Sequence, residues 1–396
     1  MKRKMISALL VAAMSVSLFA GCGGNKSEGA KSDDGKVTLK VFSNLPDRKN
    51  GQGLVEQMII DEYMKENENV KIEVEALDEE AYKTKFKAYS MEGMPDVVSI
   101  WGQPSFLDEV VDAGVLAELN EADYADYKFI EGSLNGFTYD DKLYGLPRNT
   151  DVACIYYNEK MFKDNGWEIP ATYDELLALA EKINAAGIVP MAMDGGDGWP
   201  MAVYLSDVLF KLTGKDYSDV VSNAVSTGDF SDANLKKATE LLKAAADAKL
   251  FQNGYDSQDY GTAMNLFTNG QAAMFYMGSW ESSMALNEDI PEEVRTNIRV
   301  FTMPVVDGGK AAATDIAAWN GGGYAVSANS EVKEEAIKFL HHSPIRTWKA
   351  CPAGTCSSGI SLPLPLPRSL RKPHSRRRSM LRCRWRRLCP LLLSAW

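Results

Sequence analysis

The strongest constraint on the fold lies between Val37 and Gly114, where strand-type and helix-type patterns alternate three times. Val37-Thr-Leu-Lys-Val-Phe42 and Val70-Lys-Ile-Glu-Val-Glu75 alternate with the period of a pleated strand, and Pro95-Asp-Val-Val-Ser-Ile-Trp101 is an apolar run closed by turn residues. Between and after them, Leu54 to Glu66, Glu79 to Met91 and Phe106 to Ala113 carry apolar residues at helical spacing, with Gly93 and Gly114 as stops. A β-α-β-α-β-α order implies a mostly parallel sheet with helices on both faces. Ligands of such sheets sit beyond the carboxyl ends of the strands, which puts Asn44 and Trp101 at the rim of a crevice.

A second α/β unit follows. Thr172-Tyr-Asp-Glu175 is a capping box that opens a helix through Leu176, Leu179 and Ile183, and Ile188 to Met193 reads as a buried strand. Ser231 is expected to cap a helix over Asp232 to Asp247. Ala263 to Phe267 reads as a short helix, and Ala272 to Met277, Ile298 to Met303 and Gly321 to Val326 as strands. Glu331 to Leu340 begins a further helix. At 396 residues the chain is long enough for two domains.

The catalytic inventory is thin. All three His (341, 342, 374) lie beyond residue 340, so Ser-His-Asp, Cys-His and His-bearing metal sites are excluded from the body. Cys154 sits in an apolar run and reads as a small buried hydrophobe. No phosphate-binding glycine loop occurs, and Asp194-Gly-Gly-Asp-Gly198 lacks the rest of a calcium loop. No metal or cofactor is expected. With 43 Lys+Arg against 54 Asp+Glu, a net charge of −11, the chain lacks the basic field a nucleic-acid binder needs. Carboxylates are abundant enough for glycoside hydrolysis, but no pair stands out.

The aromatic residues say more. Trp101, Trp199, Trp280 and Trp319 each stand at the end of a strand or loop, beside Gly or Pro in most cases. A flat indole there is suited to the apolar C–H face of a sugar ring, and Asn44, Arg148, Asn149 and Asp151, at comparable loop positions, suit its hydroxyl rim. Trp as interdomain or core filler is the competing reading for any one of them.

The N-terminus is an address. Lys2, Arg3 and Lys4 precede the apolar stretch Met5 to Phe19, which ends in Leu18-Phe19-Ala20-Gly21-Cys22. Small residues before a Cys match the bacterial lipobox, with Phe19 where Leu is common, so Cys22 is the expected lipidation site. Gly23 to Lys36 is polar and glycine-rich, a flexible tether.

Taken in series, several motifs resemble the extracellular solute-binding proteins of bacterial ABC importers, the carbohydrate group that includes maltose-binding protein. They are the lipobox, Met94-Pro-Asp-Val-Val-Ser-Ile-Trp101, Leu143-Tyr-Gly-Leu-Pro147 with Ile155-Tyr-Tyr-Asn158, Pro170 to Leu176, Phe267 to Met274 with Gly278-Ser-Trp280, and Gly321 to Val326. The resemblance implies an α/β, two-lobed periplasmic-binding-protein-like fold, with hinged lobes closing over a sugar and no catalysis. It implies a monomer held by its lipid on the outer face of the cell membrane and delivering a carbohydrate to ABC permease subunits. On this likeness the expected parts are the leader 1–22 and the tether 23–36. One lobe takes 37–151 and 277–318, the other, incomplete, 152–276 and 319–340. Hinge crossings are expected near Asp151–Ile155, Tyr276–Gly278 and Ala317–Asn320. Residues like Trp101, Trp199 and Trp280 often line the cleft in this family.

The resemblance stops inside the helix at 331–340. From His341 to Trp396 there are twelve Lys+Arg and no Asp or Glu, leaving the first 340 residues with a net charge of −23. Four of the six Cys and seven Pro (344, 352, 363, 365, 367, 373, 390) fall in this tail, without C-x-x-C spacing. Simultaneous loss of every carboxylate and enrichment in Arg, Pro, Ser and Cys points to a shifted reading frame near codon 341. The family continues with acidic amphipathic helices, so the helix 331–340 is expected to show apolar surface that they would cover. Two rival readings are an exported glycoside-active enzyme and a defective product that does not fold fully.

Overall fold

The computed structural model describes residues 35–350 except 128, 130 and 131, with side chains as far as His342. The expectations for the leader, for Cys22, for the tether up to residue 34 and for the tail beyond 350 fall outside those residues.

The strands are β1 (Val37–Ser43), β2 (Val70–Ala76), β3 (Val97–Trp101), β4 (Thr138–Tyr139), β5 (Lys142–Leu143), β6 (Leu146–Pro147), β7 (Thr150–Asn158), β8 (Val189–Ala192), β9 (Ala272–Gly278), β10 (Ile298–Phe301), β11 (Ala318–Asn320) and β12 (Gly322–Val326). They form two five-stranded sheets, one per lobe, plus the β4-β5 hairpin. In the first sheet the order is β2-β1-β3-β12-β6. The β2-β1-β3 pairs are parallel, as the alternating pattern implies, and β12 joins β3 antiparallel from Gly322↔Trp101 to Val326↔Val97. In the second sheet the order is β10-β7-β9-β8, with β11 also on β7. There β8 and β9 are parallel, and β7 is antiparallel to β9, β10 and β11.

Local chemistry explains the elements that position the site. The helix α1 (Gly51–Glu66) and the helix α2 (Glu79–Glu92) follow β1 and β2. The Asp78 side chain caps α2 by accepting from the Ala81 N–H, and Gly93 ends it at φ 131°, a conformation open to glycine. The capping box at Thr172 and Glu175 forms in full. Asp232, not Ser231, caps the helix Ala233–Asp247, because its carboxylate accepts from both Asn234 and Leu235 N–H. β9 is buried at all seven positions, as a central strand covered on both faces must be. Each lobe closes over its own core: Leu39, Phe42, Tyr82, Val97 and Ala325 in the first, Ile155, Tyr173, Tyr204, Met274 and Tyr276 in the second.

Strand pairing corrects the expected division of the chain. Residues 298–301 belong to the second sheet, since Ile298↔Asn158 to Phe301↔Ile155 pair β10 with β7. Residues 322–326 belong to the first sheet, through β3. The segments 277–318 and 319–340 therefore do not divide as expected. Consecutive strands change sheets at Arg148 and Asn149, and again at Gly321. Tyr276–Gly278 is no crossing, because Met284, Ile290, Val294 and Ile298 downstream of it stay in a core shared with β9.

The closing helix also departs from expectation. It spans Lys333–Ala350 and so runs across the compositional break. Its early turns pack on the first lobe: Ala336, Phe339 and Leu340 are buried there, Phe339 lies edge-on to Tyr63 at 5.2 Å, and Tyr63 donates to Glu335 Oε1 at 2.5 Å. No large apolar side chain of 331–340 is exposed; Leu54 and Met58, on α1, are among the exposed ones elsewhere.

Candidate functional site

The two sheets meet where β6 hands the chain to β7 and β11 hands it back to β12, and a polar group is built at this junction. Arg148 donates through Nη1 to Asn44 Oδ1 at 3.3 Å and lies 5.4 Å from the centre of the Tyr324 ring. Asn149 Nδ2 donates to Asp151 Oδ1 at 2.6 Å, and Ser279 Oγ donates to the same oxygen at 3.0 Å. Burial pushes the Asp151 carboxyl above the usual range, against both of these donors and the Arg148 charge. Behind Arg148, Tyr324 donates to Glu56 Oε1 at 2.6 Å; Ser43 donates to the same carboxylate, which also pairs with Arg48.

Gly321, between β11 and β12, and Gly322, which opens β12, make this packing possible. A Cβ on Gly321 would sit 2.3 Å from Asp151 Oδ2, and one on Gly322 would sit 2.2 Å from Arg148 Nη2. The Gly321-Gly-Gly323 run is thus a space requirement of the junction.

An aromatic group adjoins the polar one. Trp319, in β11, packs edge-on to Trp280 at 6.0 Å between ring centres; Trp280 tilts against Trp199 at 5.9 Å; Trp199 stacks on Tyr260 at 5.9 Å. Trp280 Nε1 donates to Tyr260 Oη at 3.1 Å, and Tyr260 in turn donates to Glu281. The Trp280 indole folds back over Gly278, where any Cβ would lie 1.8 Å from the ring. All of these belong to the second lobe. Trp101 reaches the site from the first lobe, edge-on to Tyr82 and Phe106, and half-buried.

Lys83, on α2, links the two aromatic sets. Its Nζ lies 5.7 Å from the Trp101 ring centre and 5.6 Å from that of Trp199, while it ion-pairs with Glu79 at 2.7 Å and Glu80 at 2.9 Å. Glu79 and Glu281 are both pushed up, first by burial. Glu79 feels Asp197 of the second lobe, and Glu281 feels Glu79 of the first. The lobes are in contact here.

All eight residues singled out in the sequence thus fall into connected sets: Asn44, Arg148, Asn149 and Asp151 in one, Trp199, Trp280 and Trp319 in another, and Trp101 across Lys83 from Trp199. Lys83, Glu79, Tyr260 and Glu281 were not singled out. The only trace of Lys83 in the sequence is its spacing from Glu79 and Glu80, which reads as an ordinary pairing along one helix face. Among the described residues no cluster of three or more His, Cys, Asp or Glu has the arrangement of a metal site, and no helix is long and apolar enough to cross a membrane. Cys154 is buried, as expected.

The profile of the family described as bacterial extracellular solute-binding protein matches residues 58–343. The chain belongs to that family. It is 27% identical to the multiple sugar-binding protein of Streptococcus mutans serotype c, across 86% of this chain and 78% of that one. It is 25% identical to the galactooligosaccharide-binding protein of Bacillus subtilis, across 86% and 77%. Among solved structures, it superposes with a TM-score of 0.68 on a protein studied for xylan utilization by the thermophilic bacterium Caldanaerobius polysaccharolyticus, at 26% identity over 78% of each chain. A chitin oligosaccharide binding protein gives 0.66 at 25% identity, over 79% of this chain and 78% of that one. The two-lobed α/β fold is therefore that of an extracellular solute-binding protein.

Proposed function

We propose that this chain is the substrate-binding component of an ABC-type importer and that its solute is a carbohydrate. The observation that carries the reading is the line Trp319–Trp280–Trp199, which runs along the lobe junction toward Trp101 and abuts the Asp151, Asn149, Arg148 and Asn44 polar group. Indole faces take the apolar side of a sugar ring, and the polar group takes its hydroxyls. The sugar-binding relatives support the same reading. Capture is by closure of the lobes about the connections at 148–149 and 321. The protein acts as a monomer without a cofactor and passes its sugar to membrane permease subunits, with no catalytic step. The lipobox motif supports attachment through a lipid on Cys22 to the outer face of the cell membrane. The family match ends at residue 343, beside the loss of carboxylates at 341, which supports an out-of-frame origin for the tail.

A thermal-shift screen with raffinose, xylotriose, diacetylchitobiose and galactobiose tests the reading, since a ligand that binds only the folded state raises the melting temperature. At least one oligosaccharide is expected to do so. Stabilisation by none of them, in a chain that melts cooperatively, overturns it. Release of nitrophenol from a chromogenic glycoside would overturn the non-enzymatic part.

A further inference from the structure

Closure brings like charges together at one place. From the first lobe come Glu79 and Glu80, at the start of α2; from the second come Asp194 and Asp197, in the loop after β8, and Glu281, just after β9. Asp194 is fully buried, its Oδ1 accepts the Asp197 N–H at 3.1 Å, and its Oδ2 has no hydrogen-bond partner. Asp197 Oδ2 accepts the Tyr260 N–H at 3.2 Å. Glu80 of the first lobe acts on Asp194, and Glu79 acts on Glu281 and on the Tyr260 phenol. Lys83 is the cation acting on Glu79 and Glu80, and its ammonium also lies over the Trp199 ring of the opposite lobe.

We propose that Lys83 is a positioning residue that latches the cleft: one ammonium, bridging Trp101 and Trp199, offsets the carboxylates that the two lobes bring face to face. The physical argument is the weakness of solvent screening at a half-buried site. Opposed carboxylates from separate lobes drive them apart, and an ammonium held between them weakens that repulsion. The ring quadrupoles of Trp101 and Trp199 attract the same ammonium from both sides. A residue that served only α2 would do so through Glu79 and Glu80 on its own helix, with no bearing on the other lobe. The inference rests on the lobe-closure reading above.

Small-angle X-ray scattering on the full chain tests it at pH 8 and pH 5, without added sugar. The tail is common to all variants, so differences report the lobes. Lys83→Met is expected to increase the radius of gyration at pH 8 and to return it toward the wild-type value at pH 5, below the value of about 7 to which burial pushes Asp194 and nearer the raised values of Glu79 and Glu281. Lys83→Arg is expected to scatter like the wild type. Lys83→Met/Glu281→Gln, which removes the ammonium together with one opposed carboxylate, is expected to stay nearer the closed dimensions at pH 8, and it decides the matter if Lys83→Met alone does not melt cooperatively. Wild-type dimensions for Lys83→Met at both pH values overturn the proposal, as does expansion that persists unchanged at pH 5. Thermal shift of the wild type with raffinose and xylotriose tests sugar capture separately: no stabilisation there, with expansion in Lys83→Met, removes the capture reading and leaves the latch. Stabilisation there, with the scattering of Lys83→Met unchanged, removes only the latch.

Discussion

Trp319 and Asp151 are register partners across the antiparallel pairing of β11 with β7. The aromatic line and the polar group are joined through this pair, so the stacking surface and the hydrogen-bonding rim are set by one backbone pairing. Asp151 is fixed by Asn149 and Ser279, and Trp319 by Trp280, so neither side can move without disturbing the other. Both stand beside the segments where the chain changes lobes, which ties the shape of the site to the angle between lobes.

Trp280→Ala is expected to weaken oligosaccharide binding by about 1–3 kcal/mol, the scale of losing one aromatic anchor, in a protein that still melts cooperatively. Trp280 sits between Trp199 and Trp319 and is half-buried, so its removal empties the middle of the line. Gly278→Ala tests the same point without deleting the ring, because the new Cβ occupies space now held by the indole. Isothermal titration of both variants checks this; unchanged affinity in both removes Trp280 from the site.

Gly323→Ala is expected to destabilise the first lobe by about 1–3 kcal/mol, through overpacking. Its Cβ would fall 2.5 Å from the Leu146 carbonyl oxygen of β6 and 2.5 Å from the Phe137 ring. One obstacle is the backbone of a paired strand and the other a fully buried ring, so neither can turn aside. Urea unfolding followed by circular dichroism gives the cost, and a midpoint equal to the wild type would contradict this account.

The first sheet was legible where its pairing is local. β1, β2 and β3 announce themselves through alternation and turns, and the Thr172–Glu175 box through spacing alone. The lobe membership of Gly322–Val326 was not legible, because β12 adds to β3 antiparallel from more than two hundred residues away and nothing in its own pattern names a partner. The same limit hid Lys83: the helix-face spacing that the sequence displays is satisfied within α2, while the contact with Trp199 exists only between lobes. The indoles were legible as a set because each ends a strand or loop near the junction, but their order along the line comes from the fold.

Acid should stabilise the chain between pH 8 and pH 5. Burial pushes Asp207 up to about 6, outweighing the nearby Lys211 charge and the hydrogen bond from Tyr276, and pushes Asp194 up to about 7. An unfolded Asp titrates near 3.9, so the folded state binds these protons more tightly. Their contribution is full below about pH 4 and is lost as pH rises through 6 to 7. For Asp207 the span is worth about 3 kcal/mol. Glu73, Glu75, Asp216, Asp229 and Asp259 are shifted down, so their smaller contribution is lost only in stronger acid. Melting temperature measured against pH should therefore climb on going from 8 to 5, and Asp207→Asn should flatten that climb. A profile with the same slope in the variant would assign the pH dependence elsewhere.

Removing residues 351–396 is expected to leave the melting temperature and oligosaccharide affinity unchanged. The first lobe already has a cover for α1 in the helix that begins at Lys333, through Ala336, Phe339 and Leu340, and the last contacts described there are those of His341 on Tyr124 and Tyr127 and of His342 on Tyr63. The sequence of residues 351–379 carries no sustained helical pattern, and Pro363, Pro365 and Pro367 argue against a helix or central strand. The ten basic residues of 351–396 and the net −21 of residues 1–350 attract one another, but attraction between exposed charges is screened within about 8–10 Å and is too weak to be expected to add to stability. Side-by-side calorimetry of the full chain and the shortened chain checks this. A loss of cooperativity on truncation would make the tail part of the fold. Sequencing the gene across codon 341 provides the independent arm: an acidic, amphipathic continuation in the other frame supports the frameshift, and its absence makes the tail native.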